Sequence, residues 1–151
     1  MRFKPLYFAL TFICLILLMG CSDKNDTIET ATLKPPDLTI HVGDETIKPV
    51  LGTYSWSIDN EDGTETGVDS DSDIAPELIK NIDSIHVTED TNIELEFEKQ
   101  PDNYTVNIWE DNDIASTSND VDLSGHGEVI YEIVAHWQQG TGHYAFVLYI
   151  E

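Results

Sequence analysis

GEVIYEIVAHWQ, residues 127–138, and HYAFVLYIE, residues 143–151, decide the fold. Both stretches are rich in β-branched and aromatic residues, the composition of strands, whose successive side chains point to opposite faces. Between them lies Gln139-Gly140-Thr141-Gly142, with two of the glycines that turns favour. With those four residues as the loop, Gln138 faces His143, and Trp137–Tyr144, Ala135–Phe146, Ile133–Leu148 and Tyr131–Ile150 become cross-strand pairs. Each is apolar or aromatic, a kind of pair that stabilises a sheet by about 0.2–1 kcal/mol. The other face carries Ile130, Val134, Val147 and Tyr149, so the hairpin is expected at the centre of a sheet and covered in part on both sides.

An alternation of period two runs back along the chain. Ile93, Leu95 and Phe97 alternate with Glu94, Glu96 and Glu98, and Tyr104, Val106 and Ile108 alternate with Thr105 and Asn107 until Trp109 breaks the polar row. Tyr54, Trp56 and Ile58 alternate with Ser55 and Ser57; Leu38-Ile40-Val42 and Ile85-Val87 are shorter runs of the same kind. Gly, Pro, Asn and Asp clusters separate them. Only Ala75 to Asn81 reads as helical, with Pro76 suited to a first turn and Asp73 near enough to cap it. The expected class is all-β: an antiparallel immunoglobulin-like or fibronectin-like β-sandwich over residues 37–151, with one short helix near 75–81.

Residues 1–20 read as an address. Arg2 and Lys4 precede an almost continuously apolar run from Leu6 to Met19, which at roughly fourteen residues is shorter than the ~20 of a membrane-spanning helix. The run ends Leu18-Met19-Gly20-Cys21. This resembles a bacterial lipobox, in which the cysteine becomes the diacylated mature N-terminus, so Cys21 is the expected lipidation site and the membrane the expected partner through that lipid. Two acyl chains suffice for stable anchoring. The expected location is the extracytoplasmic face of the cell membrane. Residues 21–36, polar and ending in Pro35-Pro36, read as a flexible tether with a random-coil span of roughly 20–24 Å. With Cys14 in the leader and Cys21 lipidated, the rest of the chain has no thiol, which excludes disulfides, thiolate zinc sites and cysteine nucleophiles.

The 151 residues include 7 Lys or Arg against 29 Asp or Glu, a net charge of −22. A nucleic-acid partner is excluded as an expectation, because binding phosphates needs a basic footprint. With 40% apolar residues the chain has a core to bury, and the surplus acid reads as a soluble surface suited to salt or to a cation-rich wall.

Three constellations carry chemistry. Trp109, sharing a face with Thr105 and Asn107 and followed by acids, has the aromatic-plus-polar character of a carbohydrate or peptide groove. The acidic loop 59–73, with Asp59, Asp62, Asp69, Asp71 and Asp73, offers carboxylates for weak Ca²⁺ binding. Against the EF-hand pattern counted from Asp69, however, Ile74 replaces the glycine and Lys80 the bidentate glutamate, so a solvated loop is the ordinary reading. His136 and His143 lie diagonally on one face, at about 7–8 Å, with Glu132 pointing the same way, but no further metal ligand is evident. Ser124 and His126 sit on one turn without an orienting acid, and nothing selects a carboxylate pair for hydrolysis. No enzyme is expected.

Leu51-Gly52-Thr53-Tyr54-Ser55-Trp56, then Ala75-Pro76-Glu77-Leu78, then Trp137 through Gly140 to Tyr144 and Phe146, in that order behind a lipobox, resemble the small YhfM-like lipoproteins of Gram-positive, Bacillus-like bacteria. The resemblance covers Gly52 to Glu151 and rests on structural aromatics and glycines, so it implies a family and no site. The expected function is a lipid-anchored, non-enzymatic binding or interaction module of the cell envelope, its ligand or protein partner unnamed by the sequence. The alternatives are a Ca²⁺-stabilised surface domain and a hydrolase with an unrecognised carboxylate pair.

Overall fold

The computed structural model describes residues 33–151. The expected leader at 1–20, the expected lipidation site Cys21 and the expected tether up to residue 32 lie outside the described residues. The strands in chain order are β1 (Leu38–Val42), β2 (Glu45–Ile47), β3 (Val50–Asp59), β4 (Glu65–Ser70), β5 (Ile85–Val87), β6 (Ile93–Phe97), β7 (Asn103–Glu110), β8 (Asp113–Ser118), β9 (Gly127–Trp137) and β10 (Gly140–Ile150). One helix, α1 (Ala75–Ile79), lies between β4 and β5. A three-stranded sheet, β2-β1-β6, faces a seven-stranded one ordered β4-β3-β10-β9-β7-β8, where β5 adds to β10 beyond the end of β3. The pairings are antiparallel except β5 with β10, which is parallel. The chain is an all-β sandwich with one short helix.

The main core is the space between the sheets. Leu38, Ile40, Val42 and Phe97 enter it from the small sheet; Trp56, Val106, Tyr131, Ile133, Ala135, Trp137, Tyr144, Phe146, Leu148 and Ile150 enter it from the large one. Aromatic edges meet there: the Trp56 and Trp137 rings are 5.5 Å apart at 74°, and Tyr131 stacks on Phe146 at 5.0 Å. Two of their polar tips bond backbone carbonyls. The Tyr131 hydroxyl donates to the Asp122 carbonyl at 2.6 Å, and Trp137 Nε1 donates to the Lys99 carbonyl at 2.9 Å. A second, smaller core forms on the outer face of the large sheet, where Ala75 and Ile79 of α1 pack on Ala145 and Val147 of β10.

The hairpin register differs from the expected one. Trp137 pairs with Gly140, so the loop is the two residues Gln138 and Gln139, and Ile133 lies opposite Tyr144, Tyr131 opposite Phe146. The two glycines read as turn formers are strand residues, placed where neighbours crowd. A Cβ on Gly140, whose φ is +153°, would lie 1.9 Å from the Ser55 carbonyl oxygen of β3. One on Gly142 would lie 2.9 Å from the Pro35 ring. Each strand slides by two residues, an even number, so every side chain keeps its expected face.

Three strands carry no apolar alternation and were not expected: β2, ETI, at an edge of the small sheet, and two in the large one. β4, ETGVDS, and β8, DIASTS, are the exposed edges of the large sheet, where polar residues meet water on both sides. β8 is reached through a two-residue turn at Asp111 and Asn112, both with positive φ (48° and 67°), the backbone a type I′ hairpin requires. The end of the expected tether also belongs to the fold. Pro35 is fully buried, and the Pro36 carbonyl accepts the Tyr144 hydroxyl at 2.6 Å, so packing begins before the Asp37 boundary.

Candidate functional site

The outer face of the large sheet is apolar around α1 and polar beside it. There Glu132 of β9 follows Ile130 and precedes Val134 on the same row. Its side chain is 12% exposed, and a carboxylate so placed needs donors. It has three. Asn107 Nδ2 and Trp109 Nε1 of β7 each donate to Oε2 at 3.1 Å, and His143 Nδ1 of β10 donates to Oε1 at 2.9 Å. Burial alone would raise the Glu132 pKa, but these bonds, with the nearby His143, outweigh it and hold the group below the ordinary carboxylate value. Glu132 is therefore ionised at neutral pH and accepts only, which puts the His143 proton on Nδ1. No described side chain bonds Nε2, which is open to solvent.

His143 is aimed by a β-bulge. Tyr54 pairs with Gly142 and Leu51 with Tyr144, leaving Gly52 and Thr53 together opposite His143. Gly52 lets α1 close over this point: a Cβ there would sit 2.9 Å from Leu78 Cδ1 and 3.1 Å from Ser72 Oγ. The result is a cleft of about 190 Å³ between α1 and the sheet. Leu78, Ile74, Ala145 and Trp109 form its apolar wall, and Glu132, His143, Thr53, Ser72 and Asp73 its polar one. That volume is below the ~300 Å³ typical of drug-sized ligands and suits one small functional group.

Of the three groove residues expected from sequence, only Trp109 lines the cleft. Asn107 is 6% exposed, and its amide is committed to Glu132 with its oxygen taking the Thr117 hydroxyl at 2.8 Å. It holds Glu132 and does not line the cleft. Thr105 is half-buried opposite Val134, outside the cleft. The row alternated as expected, but the neighbouring row on β9 contains an acid that draws the amide inward.

The acidic residues 59–73 do not form one loop. Asp59 pairs with Glu65 and Asp69 with Ser55 across the β3–β4 hairpin, which sets the two aspartates roughly 13 Å apart along the ladder. Asp62 turns its carboxylate onto Thr64, accepting from N at 3.0 Å and from Oγ1 at 2.6 Å; these bonds lower its pKa. Asp71 and Asp73 follow β4, and Asp73 alone of the five reaches the cleft. Among the described residues no three His, Asp or Glu side chains converge as a metal centre. His136 and His143 do share a face, but His136 Nδ1 bonds Thr141 Oγ1 at 2.9 Å while His143 bonds Glu132.

An imidazole oriented by a carboxylate is also a hydrolase device. Here, though, the nearby Ser72 hydroxyl donates to the Asp73 carbonyl at 2.9 Å, and Glu132, ionised and triply bonded, is no proton donor. The hub, Glu132 with His143, had one signal in the sequence: an acid set between Ile130 and Val134 on one row of a central strand. Thr53, Ser72 and Gly52 had none, because a bulge and a helix bring them in. No family model matches the chain, and neither curated proteins nor solved structures give a match. No helix of the described residues is long and apolar enough to cross a membrane.

Proposed function

We propose that this chain is a non-enzymatic binding module of the bacterial cell envelope, held at the outer face of the membrane by a lipid on Cys21 and engaging its ligand in the cleft under α1. The kinship with YhfM-like lipoproteins is part of the same proposal. The observation that carries the binding reading is the Glu132 hub. Three side chains from two strands, Glu132, Asn107 and Trp109, are committed to fixing one ring, that of His143, whose Nε2 is left free beside an aromatic wall. Such convergent polar groups at the edge of an apolar cleft are the ordinary make-up of a ligand site. The lipobox-like Leu18-Met19-Gly20-Cys21 supports the anchor.

The test has two arms. Cells fed labelled palmitate are expected to label the wild-type chain and not Cys21→Ala, which should leave the membrane fraction or remain unprocessed. Purified envelope fragments are expected to be retained by the full chain and lost by Ser72→Trp, which fills the cleft from an exposed loop. Equal retention by both proteins would remove the cleft from the proposal.

A further inference from the structure

Hydrogen-bond accounting at the cleft gives a one-sided answer. The Trp109 indole N–H, the Asn107 amide and the His143 Nδ1–H all go to Glu132. The Ser72 hydroxyl gives its proton to the Asp73 carbonyl at 2.9 Å. Its contact with Thr53 Oγ1, at 3.2 Å, then takes the proton from Thr53, whose oxygen in turn accepts the Ser72 backbone N–H at 3.2 Å. Every side-chain N–H or O–H of the four that line the cleft, Trp109, His143, Ser72 and Thr53, is spoken for inside the protein. What remains to face a ligand is His143 Nε2, which carries a lone pair when the ring's one proton is on Nδ1, the unused hydroxyl lone pairs, the Asp73 carboxylate and the Trp109 ring. All are acceptors or electron-rich surfaces. The chain around them carries a net charge of −22, which concentrates cations and repels anions.

From this we propose that the cleft selects a primary ammonium group, of the kind a lysine-like side chain or an aminoacyl ester presents. An ammonium brings three donors and no acceptor, the complement of what the cleft leaves open. Its charge meets the Asp73 carboxylate and the Trp109 ring, to which cations are attracted, while its alkyl stem lies on Leu78 and Ile74. The size agrees: about 190 Å³ admits one such group and not a bulky ligand. Phosphates and carboxylates find no free side-chain donor here. The inference rests on the reading of the cleft as a ligand site and narrows it to one chemical class.

The experiment is a ¹H–¹⁵N NMR titration of the full chain, in mild detergent at constant ionic strength, following the Trp109 indole and His143 ring signals. The probes are n-butylammonium chloride, sodium butyrate and a methyl hexoside. Butylammonium is expected to shift both signals saturably, with affinity falling by about threefold in Asp73→Asn, the scale of an exposed ion pair, and unchanged in Glu94→Gln on the other sheet. Butyrate should shift neither. If the hexoside saturates the site and butylammonium does not, the ammonium assignment is overturned and the cleft stands as a binding site. Non-saturating shifts spread over the acidic surface overturn the assignment too. Silence of both signals toward every probe removes the cleft itself.

Discussion

Replacing Glu132 tests the hub most directly, because the two obvious substitutions differ in a calculable way. Glu132→Ala removes the acceptor of three donors at once. Trp109 and His143 border the cleft and can turn to water, but Asn107 is 6% exposed and cannot. A buried polar group without a partner costs about 1–3 kcal/mol, so the expected loss, with packing, is about 2–4 kcal/mol. Glu132→Gln keeps the shape. Its oxygen still accepts from Asn107 and Trp109, and the loss is that of exchanging charge-assisted bonds for neutral ones, about 1–2 kcal/mol. Its NH₂, however, faces His143 Nδ1, and two donors cannot pair. The ring must move its proton to Nε2, which turns the free atom from acceptor to donor.

The assay is urea unfolding of wild type and both variants between pH 3 and pH 7, with ¹⁵N spectra of the His143 ring. The folded pKa of Glu132 is held low, whereas an unfolded glutamate titrates near about 4.3. A depressed folded pKa gives stability that is full above the unfolded value and is lost as pH falls through the folded one. The gap between wild type and Glu132→Gln should therefore hold steady from pH 7 to about pH 5 and narrow below about 4.3. A gap as wide at pH 3 as at pH 7, an alanine variant costing under about 1 kcal/mol, or an unchanged tautomer in Glu132→Gln would refute the account of the hub.

Two further predictions concern the fold. Gly140→Ala forces a Cβ to within 1.9 Å of the Ser55 carbonyl oxygen and should abolish the melting transition or cost more than about 3 kcal/mol, whereas Gly63→Ala, at φ +80° with nothing within 4 Å, should cost only the ~1–2 kcal/mol of a left-handed residue; equal melting temperatures for the two would contradict the close approach of β3 and β10. Burial, then the charge of Asp122, pushes the Tyr131 phenol up to about 12, and burial, then Asp37 and Glu98, raises Tyr144 as well. Ultraviolet titration should find both phenols protonated after exposed tyrosines have ionised near about 10, and the stability they confer, complete below that pH, should fall as pH climbs through their folded values.

The sequence-level reading and the structure agree where burial is one-sided. The rows Leu38-Ile40-Val42, Tyr131-Ile133-Ala135-Trp137 and Tyr144-Phe146-Leu148-Ile150 face the main core as their alternation demands. The hairpin loop was misplaced because Gly140 and Gly142 carry two meanings. Each serves either a turn or a close approach, and only the neighbouring β3 and Pro35 decide which. Edge strands β4 and β8 left no apolar trace because neither of their faces is deeply covered. The cleft was legible only in fragments. Trp109, Glu132 and His143 share a face by parity, but Thr53 joins them through a bulge and Ser72 through a loop, and neither has a periodic signal.

Why the polar hub sits where it does follows from a shortage of cover. The large sheet presents two faces, and β10 is apolar on both: Tyr144, Phe146, Leu148 and Ile150 on one, Ala145 and Val147 on the other. The small sheet covers the first. Among the described residues the second has one helix, α1, five residues long and hence about 7.5 Å, against the roughly 35 Å of an eleven-residue strand such as β9. A helix that short hides Ala145 and Val147 and leaves the row beyond them half open. An apolar row there would be exposed grease, and an ordinary polar row would point its donors at water. What stands there is neither: an acid that gathers its neighbours' donors inward, so that the half-open ground is walled by Trp109 and rimmed by acceptors. Lengthening α1 would bury this ground, so a helix that stops at Ile79 leaves the His143 ring open to solvent and, on the function proposed above, to a ligand.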